Sequence, residues 1–372
     1  MAAARETRQT ISRFTPLAEL TALMDREVKP TVPHALELAA AGGAILAGDV
    51  AAPARPNAAI ALIDGWALSA EATRDAGGYA PALLADVPQR VDVGDVMPPG
   101  ADCVAPLDIV KMADGRAKVL AAVGPGDGVL PAGGDSNPSE PLRRAGERLR
   151  GIDVAVCAAA GVSHLTVRQP RLHVAALRRT DIVAAAARAI AADIERFGGI
   201  VRHEDGTNDF ATLLNDADAF ITLGGTGTGH KDAAVTDLHE KGRVAVHGVA
   251  LTPGETMAFG FIGDRPVLLL PGRLDAALAV WLIAGRHLLG RLAGADLELR
   301  QPTERLPLAR KVVSTVGLAE LIPVRRVGNE VEPLASKYLP FSALTRSDGW
   351  ILVPAASEGY SAGTLVSVSP WP

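Results

Sequence analysis

The hydrophobic rhythm of the chain changes three times. Behind Pro16, Leu17, Leu20, Leu23 and Met24 fall on one face of a 3.6-residue period and predict a helix. PHALELAAAGGAILAGDV continues in the same style, so residues 15–50 read as helical. From APARPNAAIALIDGWALSA to about residue 150, short apolar runs broken by Pro and Gly predict a β-rich region. RLRGIDVAVCAAAGVSHLTV (148–167) reads as a helix and then a strand, and QPR marks a boundary.

A regular alternation begins at Leu172. LHVAAL, GIVRHE, AFITL, RVAVHGVAL and RPVLLLPG are strand candidates. DIVAAAARAIAADIERF (closed by Gly198 and Gly199), FATLLNDA, DAAVTDLHEKG and LDAALAVWLIAGRHLLGRLAG are helix candidates between and after them. Strands alternating with helices predict a parallel sheet covered on both faces. From about residue 298 the short strands KVVSTV, AELIPVRRV, WILVPAA and TLVSVS predict a small barrel or sandwich. The expected division is residues 1–50 with 136–170 (helical and linker), 51–135 (β-rich), 171–297 (α/β) and 298–372 (β-barrel).

With 372 residues there is room for several cores, and at 4% aromatic these are built from Ala, Val and Leu. A net charge of −5 argues against a nucleic-acid partner, whose phosphates need a basic face. The basic run RRAGERLRG (143–151) reads as a solvated surface. No uninterrupted apolar run reaches membrane-spanning length, and MAAARETRQT lacks a signal-peptide core, so no membrane partner is expected. Cys103 and Cys157 lie in apolar settings without metal-ligand spacing and read as buried thiols, which suits a reducing cytoplasm.

The candidate chemistry is in ITLGGTGTGHKD (221–232), where four glycines fall within six residues after an apolar strand. In an open parallel sheet, ligands bind beyond the carboxyl ends of strands. Bare backbone N–H groups of Gly224, Gly225, Gly227 and Gly229 can approach an anion, and the next helix adds its positive dipole end. Thr226 and Thr228 add hydroxyl donors, and Asp232 stands in the first helical turn, as an N-cap or as a metal-directed carboxylate. On the residues alone, a plain turn with a capping Asp remains an equal reading.

ITLGGTGTGHKDAAVTDL, followed by GRVAVHGVALTPGETMAFGFIGDRPVLLLPG and a long helix, resembles the MoeA/gephyrin family of molybdopterin molybdenumtransferases. DGWAL (64–68), PPGADCV (98–104), RAGERL (144–149) and SDGWILVPAASEGYSAGTLVSV resemble further family segments in the same order, covering nearly the whole chain. The glycine loop also resembles that of the smaller MogA/MoaB adenylyltransferases. The resemblance implies an α/β-plus-β multidomain chain with a MogA/MoaB-like molybdopterin-binding domain and a C-terminal barrel. It implies a cytoplasmic homodimer that takes molybdopterin or adenylyl-molybdopterin, molybdate and Mg, and meets molybdoenzymes or other cofactor-biosynthesis proteins. In this resemblance Gly224, Gly225, Thr226, Gly227, Thr228 and Gly229 hold the pterin phosphate. Asp232 matches the acidic position near metal or phosphate, Asp218 matches a family carboxylate more loosely, and Arg273 stands in for a lost cation.

The departures fall on the chemistry. Where the family has polar groups before DGYA, this chain has Ala59, Ile60 and Ala61, and Val93 takes the place of a threonine. STGDEL is replaced by a segment in which Asp181 is at best a displaced counterpart. KPGKP becomes TPGET, so Thr252 and Glu255 replace two lysines, and PGNPVSA becomes PGRLDAA. Molybdate is an oxyanion, and loss of lysines beside it weakens its binding. His230, Lys231 and Arg273 are the cations left to compensate. Asp64 and Trp66 persist either for chemistry or only for a turn and its packing. Two readings stay open: a molybdenum-inserting enzyme, and a catalytically impaired molybdopterin-binding carrier, chaperone or scaffold.

Overall fold

The computed structural model describes residues 9–113, 115–177, 180–205, 216–229, 232–295 and 304–372. Backbone proximity divides the chain into two units. One holds residues up to Gly48, Ala145–Gly151 and Leu165–Pro372, and the other holds Asp49–Arg144 and Ile152–His164.

In the first unit, α1 (Leu17–Glu27) follows Pro16, which occupies the N-cap. Leu20 and Met24 are fully buried, and Leu17 and Leu23 pack at the core's margin, so the apolar stripe is the one the sequence predicts. The helical reading fails beyond it. His34–Glu37 and Ile45–Leu46 are strands, with one 3-10 turn at Leu38–Ala40 between them. Pro30 and Pro33 withhold the amide hydrogens a helix needs, and Gly42 and Gly43 favour a turn, with Gly43 at φ 85°.

The α/β region is a six-stranded sheet. Its strands are β1 (Arg171–Ala176), β2 (Ile200–Asp205), β3 (Ala219–Leu223), β4 (Arg243–His247), β5 (Ala258–Ile262) and β6 (Arg265–Leu270), in the order β2-β1-β3-β6-β5-β4. The first four in that order are parallel, whereas β5 runs antiparallel to both β6 and β4. A wholly parallel sheet is therefore the wrong expectation for one edge. MAFGFI and RPVLLL form a hairpin through Gly263 and Asp264, too tight for a helix to intervene. The helix expected at FATLLNDA (210–217) lies mostly outside the described residues.

Strand periodicity sorts the core. Leu172, Val174, Ala176, Ile221, Leu223, Leu268 and Leu270 face one layer with α1, α2 (Asp181–Arg196), α4 (Leu274–Val280) and α5 (Arg286–Ala293). Ala175, Phe220, Val267 and Leu269 face the other, with α3 (Ala234–Lys241). Between α4 and α5, Trp281–Gly285 form a π turn. A Cβ on Gly285 would lie 2.1 Å from the Trp281 ring, so only glycine lets the indole lie there. Trp281 Nε1 then donates to Asp193 Oδ2 at 2.8 Å, and Arg286 forks onto the same carboxylate with two bonds of 2.8 Å. The run Leu274–Ala293 is long and apolar enough to cross a membrane, but 72% of its apolar window is buried within the protein. Downstream, Ala319–Val327, Gly349–Val353, Leu365–Pro370 and Glu304–Pro307 form an antiparallel sheet around Leu306, Ile322, Val324, Ile351, Val353 and Val366.

The second unit has two three-stranded antiparallel sheets. One joins Gln89–Val91, Gly65–Leu68 and Cys103–Pro106; the other joins Ala82–Leu83, Arg116–Val119 and Val110–Ala113. Cys103, Ala105, Val110, Ala117 and Val119 form one of its cores.

Candidate functional site

The chain order of the sheet reverses at β1. From β1 the chain passes through α2 to β2 on one side, then returns to β3 on the other. Loops leaving the carboxyl ends of β1 and β3 therefore diverge and leave a crevice, which is where open α/β sheets take ligands. Three turns frame it. Thr180 caps α2 by accepting the Val183 N–H at 3.3 Å. The glycine loop leaves β3, with Gly224 at φ 93° and Gly225 at φ 78°, backbone that side chains disfavour. The turn after β6 brings Gly272 against it: a Cβ on Gly272 would lie 3.4 Å from the Gly224 Cα and 4.0 Å from Val183.

Within the loop the predicted groups divide. Gly227 is half-buried, and Thr228 and Gly229 are exposed. Thr226 is 2% exposed, and its hydroxyl pairs with Thr256 Oγ1 at 3.0 Å while its carbonyl meets His247 Nε2 at 3.1 Å. Its side chain is thus spent inside the protein, and Thr228 carries the exposed hydroxyl. Asp232 folds back on the loop. Its Oδ2 accepts the Gly229 N–H at 3.2 Å, its own N–H donates to the Gly229 carbonyl at 2.9 Å, and a Cβ on Gly227 would reach Oδ2 at 2.6 Å. The carboxylate therefore sits at the bare face of the loop, where it can meet a cation or give way to an anion.

The next helix differs from expectation. The first free N–H groups of α3, those of Val235 and Thr236, donate to the side-chain oxygen of Gln9 at 2.7 and 3.1 Å. The positive end of α3 is occupied by a neutral amide and does not offer itself to a phosphate.

The turn TPGET (252–256) lies beside the loop through the Thr226–Thr256 bond. Glu255 curls onto its own turn, accepting from the Thr252 hydroxyl and, at 3.1 Å, from the Gly254 N–H. Arg273 forks onto Asp275, with its Nε at 3.0 Å from Oδ1, and its guanidinium lies 5.1 Å from the Tyr338 ring centroid. The Asp275 hydrogen bond raises the Arg273 pKa against the opposing effect of burial, and the charges of Asp275 and Glu255 add to it. Asp275, 3% exposed, also accepts the Leu339 N–H at 3.1 Å. The cation expected to replace a lost lysine is thus paired with its own neighbour.

Other candidates separate from the crevice. Asp218 precedes β3 at its amino end, where it accepts the Arg171 N–H at 2.7 Å, so it lies a whole strand length, about 16 Å, from the loop. Asp181 is exposed in the first turn of α2. His230 and Lys231 lie outside the described residues. In the second unit, Asp64 Oδ1 accepts the Val93 N–H at 2.8 Å, and a Cβ on Gly65 would lie 2.3 Å from the Ala105 carbonyl oxygen. Trp66 packs at the margin of one of that unit's cores. Ala61 is fully buried and Val93 is 62% exposed; neither offers a polar side chain. Among the described residues no group of three or more His, Cys, Asp or Glu is arranged to hold a metal ion.

Gln9 is the contact sequence reasoning missed. Nothing in RQTIS marks it, because its four partners lie more than two hundred positions away.

Comparison with known proteins agrees with this architecture. The family model of the MoeA N-terminal region (domain I and II) matches residues 6–161. The model described as "Probable molybdopterin binding domain" matches residues 178–291, which include the crevice, and that of the MoeA C-terminal region (domain IV) matches 305–371. The chain is 28% identical over 316 residues to molybdopterin molybdenumtransferase 1 of Mycobacterium tuberculosis, covering 75% of this chain and 73% of that protein. It is 25% identical over 381 residues to the molybdopterin molybdenumtransferase of Synechococcus elongatus, covering 88% and 92%. The crystal structure of the molybdopterin biosynthesis moeA protein from Pyrococcus horikoshii OT3 matches with a TM-score of 0.78 at 21% identity, over 96% of this chain and 100% of that one.

Proposed function

The chain belongs to the MoeA family of molybdenum cofactor biosynthesis proteins, and from that premise we propose that it binds molybdopterin by its phosphate at the glycine loop after β3. The observation that carries this reading is the loop's place. It leaves a central parallel strand at the point of chain reversal, with Gly224 against Gly272 and with Thr228 and Gly229 open to solvent. Gly227, Thr228 and Gly229 form the contact surface, Gly224, Gly225 and Thr226 shape it from beneath, and Arg273 stands at its edge. Adenylyl-molybdopterin presents the same phosphate and fits the same loop.

Asp232 is the carboxylate that folds onto this loop, and it suits a Mg ion shared with ligand phosphate rather than an all-protein cage. Such an ion would neutralise phosphate charge; Asp232 itself would turn from Gly229 to face it.

The same residues support weak molybdenum insertion. Thr252 and Glu255 replace cations by a hydroxyl and a carboxylate that satisfy each other, and Arg273 is committed to Asp275. Among the described residues molybdate would meet little free positive charge, so we assign the chain to pterin binding with impaired transfer, as carrier, chaperone or scaffold. A homodimer in the cytoplasm and the four-part division at residues 50, 135, 170 and 297 belong to this proposal.

Titrating the protein and its Gly227→Val variant with molybdopterin, with and without molybdate, tests the reading. The parent should bind molybdopterin, molybdate should change its affinity little, and the variant, whose side chain displaces Asp232 into the loop face, should not bind. Equal binding by both proteins would leave the loop a simple turn.

A further inference from the structure

The glycine loop, tied through Thr226 to Thr256 and His247 and through the Gly225 carbonyl to the Ala234 N–H at 3.1 Å, is also bridged to α3 by a side chain. Gln9 is 6% exposed, and its Nε2 donates to the carbonyl oxygens of Gly225 at 3.0 Å and Gly227 at 2.8 Å. Its Oε1 accepts the N–H groups of Val235 and Thr236. Two donors and two acceptor positions are the full capacity of a primary amide, and all four are used. The strap carrying Gln9 is itself anchored. Thr15 donates its N–H to the Gly248 carbonyl at 3.0 Å and accepts that of Ala250 at 2.8 Å.

The direction of those two carbonyls matters. In a trans peptide the C=O and the following N–H point opposite ways. Drawing the Gly225 and Gly227 oxygens toward Gln9 therefore turns the N–H groups of Thr226 and Thr228 to the other side of the loop. Among the described residues neither N–H meets an acceptor. Thr228 is exposed, and the neighbouring Gly229 N–H is held by Asp232, a group an anion can displace. Successive N–H groups turned to one side are the arrangement that receives an oxyanion.

We infer that Gln9 is a positioning residue for the ligand phosphate: its amide fixes the peptide planes of the glycine loop so that their N–H groups face the anion. The inference rests on the loop being the phosphate site. Gln9's own place cannot be that site. A dianionic phosphate ester there would accept from Val235 and Thr236 but would meet the Gly225 and Gly227 carbonyls with no hydrogen to give. A group that gives two hydrogens and accepts two fits, which an amide does and a phosphate ester dianion does not.

The test uses the full chain, inorganic phosphate as probe, and threonine-labelled amide spectra that follow Thr226 and Thr228, alongside calorimetry. Gln9→Met keeps the length and removes every hydrogen bond. Gln9→Glu keeps the acceptor for Val235 and Thr236 but loses the donors to the loop. In the parent, phosphate should shift the Thr228 amide. Both variants should bind phosphate at least about tenfold more weakly, as expected when charge-assisted hydrogen bonds lose their alignment, and should lose that shift. Affinity is read well below each variant's unfolding midpoint, so that weaker binding by a folded variant separates positioning from general destabilisation, and either variant stands in if the other does not fold. Parent-like affinity in both variants would overturn the inference and leave the phosphate site standing. A parent that binds no phosphate, or binds it equally well as Gly227→Val, would overturn the site and the inference together.

Discussion

Replacing Asp193 by Ala should cost the α/β region a large part of its stability. Asp193 is 1% exposed on α2 and receives three hydrogen bonds, two from Arg286 and one from Trp281, all at 2.8 Å. The Arg286 side chain is 16% exposed and Trp281 is fully buried, so neither gains water when the carboxylate is removed. Leaving a buried charge without its partner costs about 3–5 kcal/mol. An orphaned buried N–H costs about 1–3 kcal/mol more. Both penalties act at one site and relax together, so the expected loss is about 4–6 kcal/mol, against a usual total of about 5–15 kcal/mol. Asp193→Asn keeps one acceptor but leaves Arg286 without a counter-charge and faces one of its donors with an NH2 group, so it should cost about 3 kcal/mol, less than Ala. Urea unfolding followed by tryptophan fluorescence reads both, with the slope unchanged if the unfolded state is unaffected. A loss under about 1 kcal/mol for Ala, or equal losses for Ala and Asn, would refute the view that this carboxylate ties α2 to the π turn.

Charge reversal by Glu255→Lys removes an acidic group from beside the glycine loop and should tighten phosphate binding in calorimetry; unchanged affinity would place Glu255 outside the ligand's field. The parent should fail to restore molybdoenzyme activity at a near-normal rate in cells lacking their own insertase, and Thr252→Lys with Glu255→Lys should improve it. Burial, aided by the charge of Asp102, pushes the Cys103 thiol up to about 12, and burial raises Cys157 as well. Neither should react with a thiol reagent at pH 8 until the chain unfolds. Because these folded-state values are raised, their stabilisation is complete below the ordinary thiol value, about 8.5, and is lost as pH rises from there toward the folded value. Light scattering should show a dimer at micromolar concentration, and a monomer would remove that part of the proposal.

The parts of the fold legible in the chain were those governed by local pattern. AFITL is apolar but for the buried Thr222 because β3 is covered on both faces, and the glycines after it announce a bare turn. Leu20 and Met24 announce the buried stripe of α1 by spacing alone. Residues 34–46 were misread because Ala and Leu favour a helix wherever neighbours do not intervene, and here strand pairing with His164–Arg168 intervenes. The antiparallel edge of the sheet was hidden because MAFGFI and RPVLLL look alike in a parallel or an antiparallel partner. In the site, the glycine loop and its acidic neighbour were visible, but their partners were not. The bonds Thr226–Thr256, Arg273–Asp275–Leu339 and Gln9–Gly227 depend on the tertiary fold, and a glutamine 218 positions from its acceptor leaves no periodic or spacing signal.

The central claim, that the loop after β3 holds the pterin phosphate, is tested most directly by a crystal structure of the protein with molybdopterin bound. The account predicts phosphate oxygens within hydrogen-bonding distance of the backbone N–H groups of Thr228 and Gly229, with Asp232 turned away from Gly229 and Gln9 still bridging the Gly225 and Gly227 carbonyls to α3. A phosphate seated anywhere else, with the loop and Asp232 as they stand in the free protein, would contradict it.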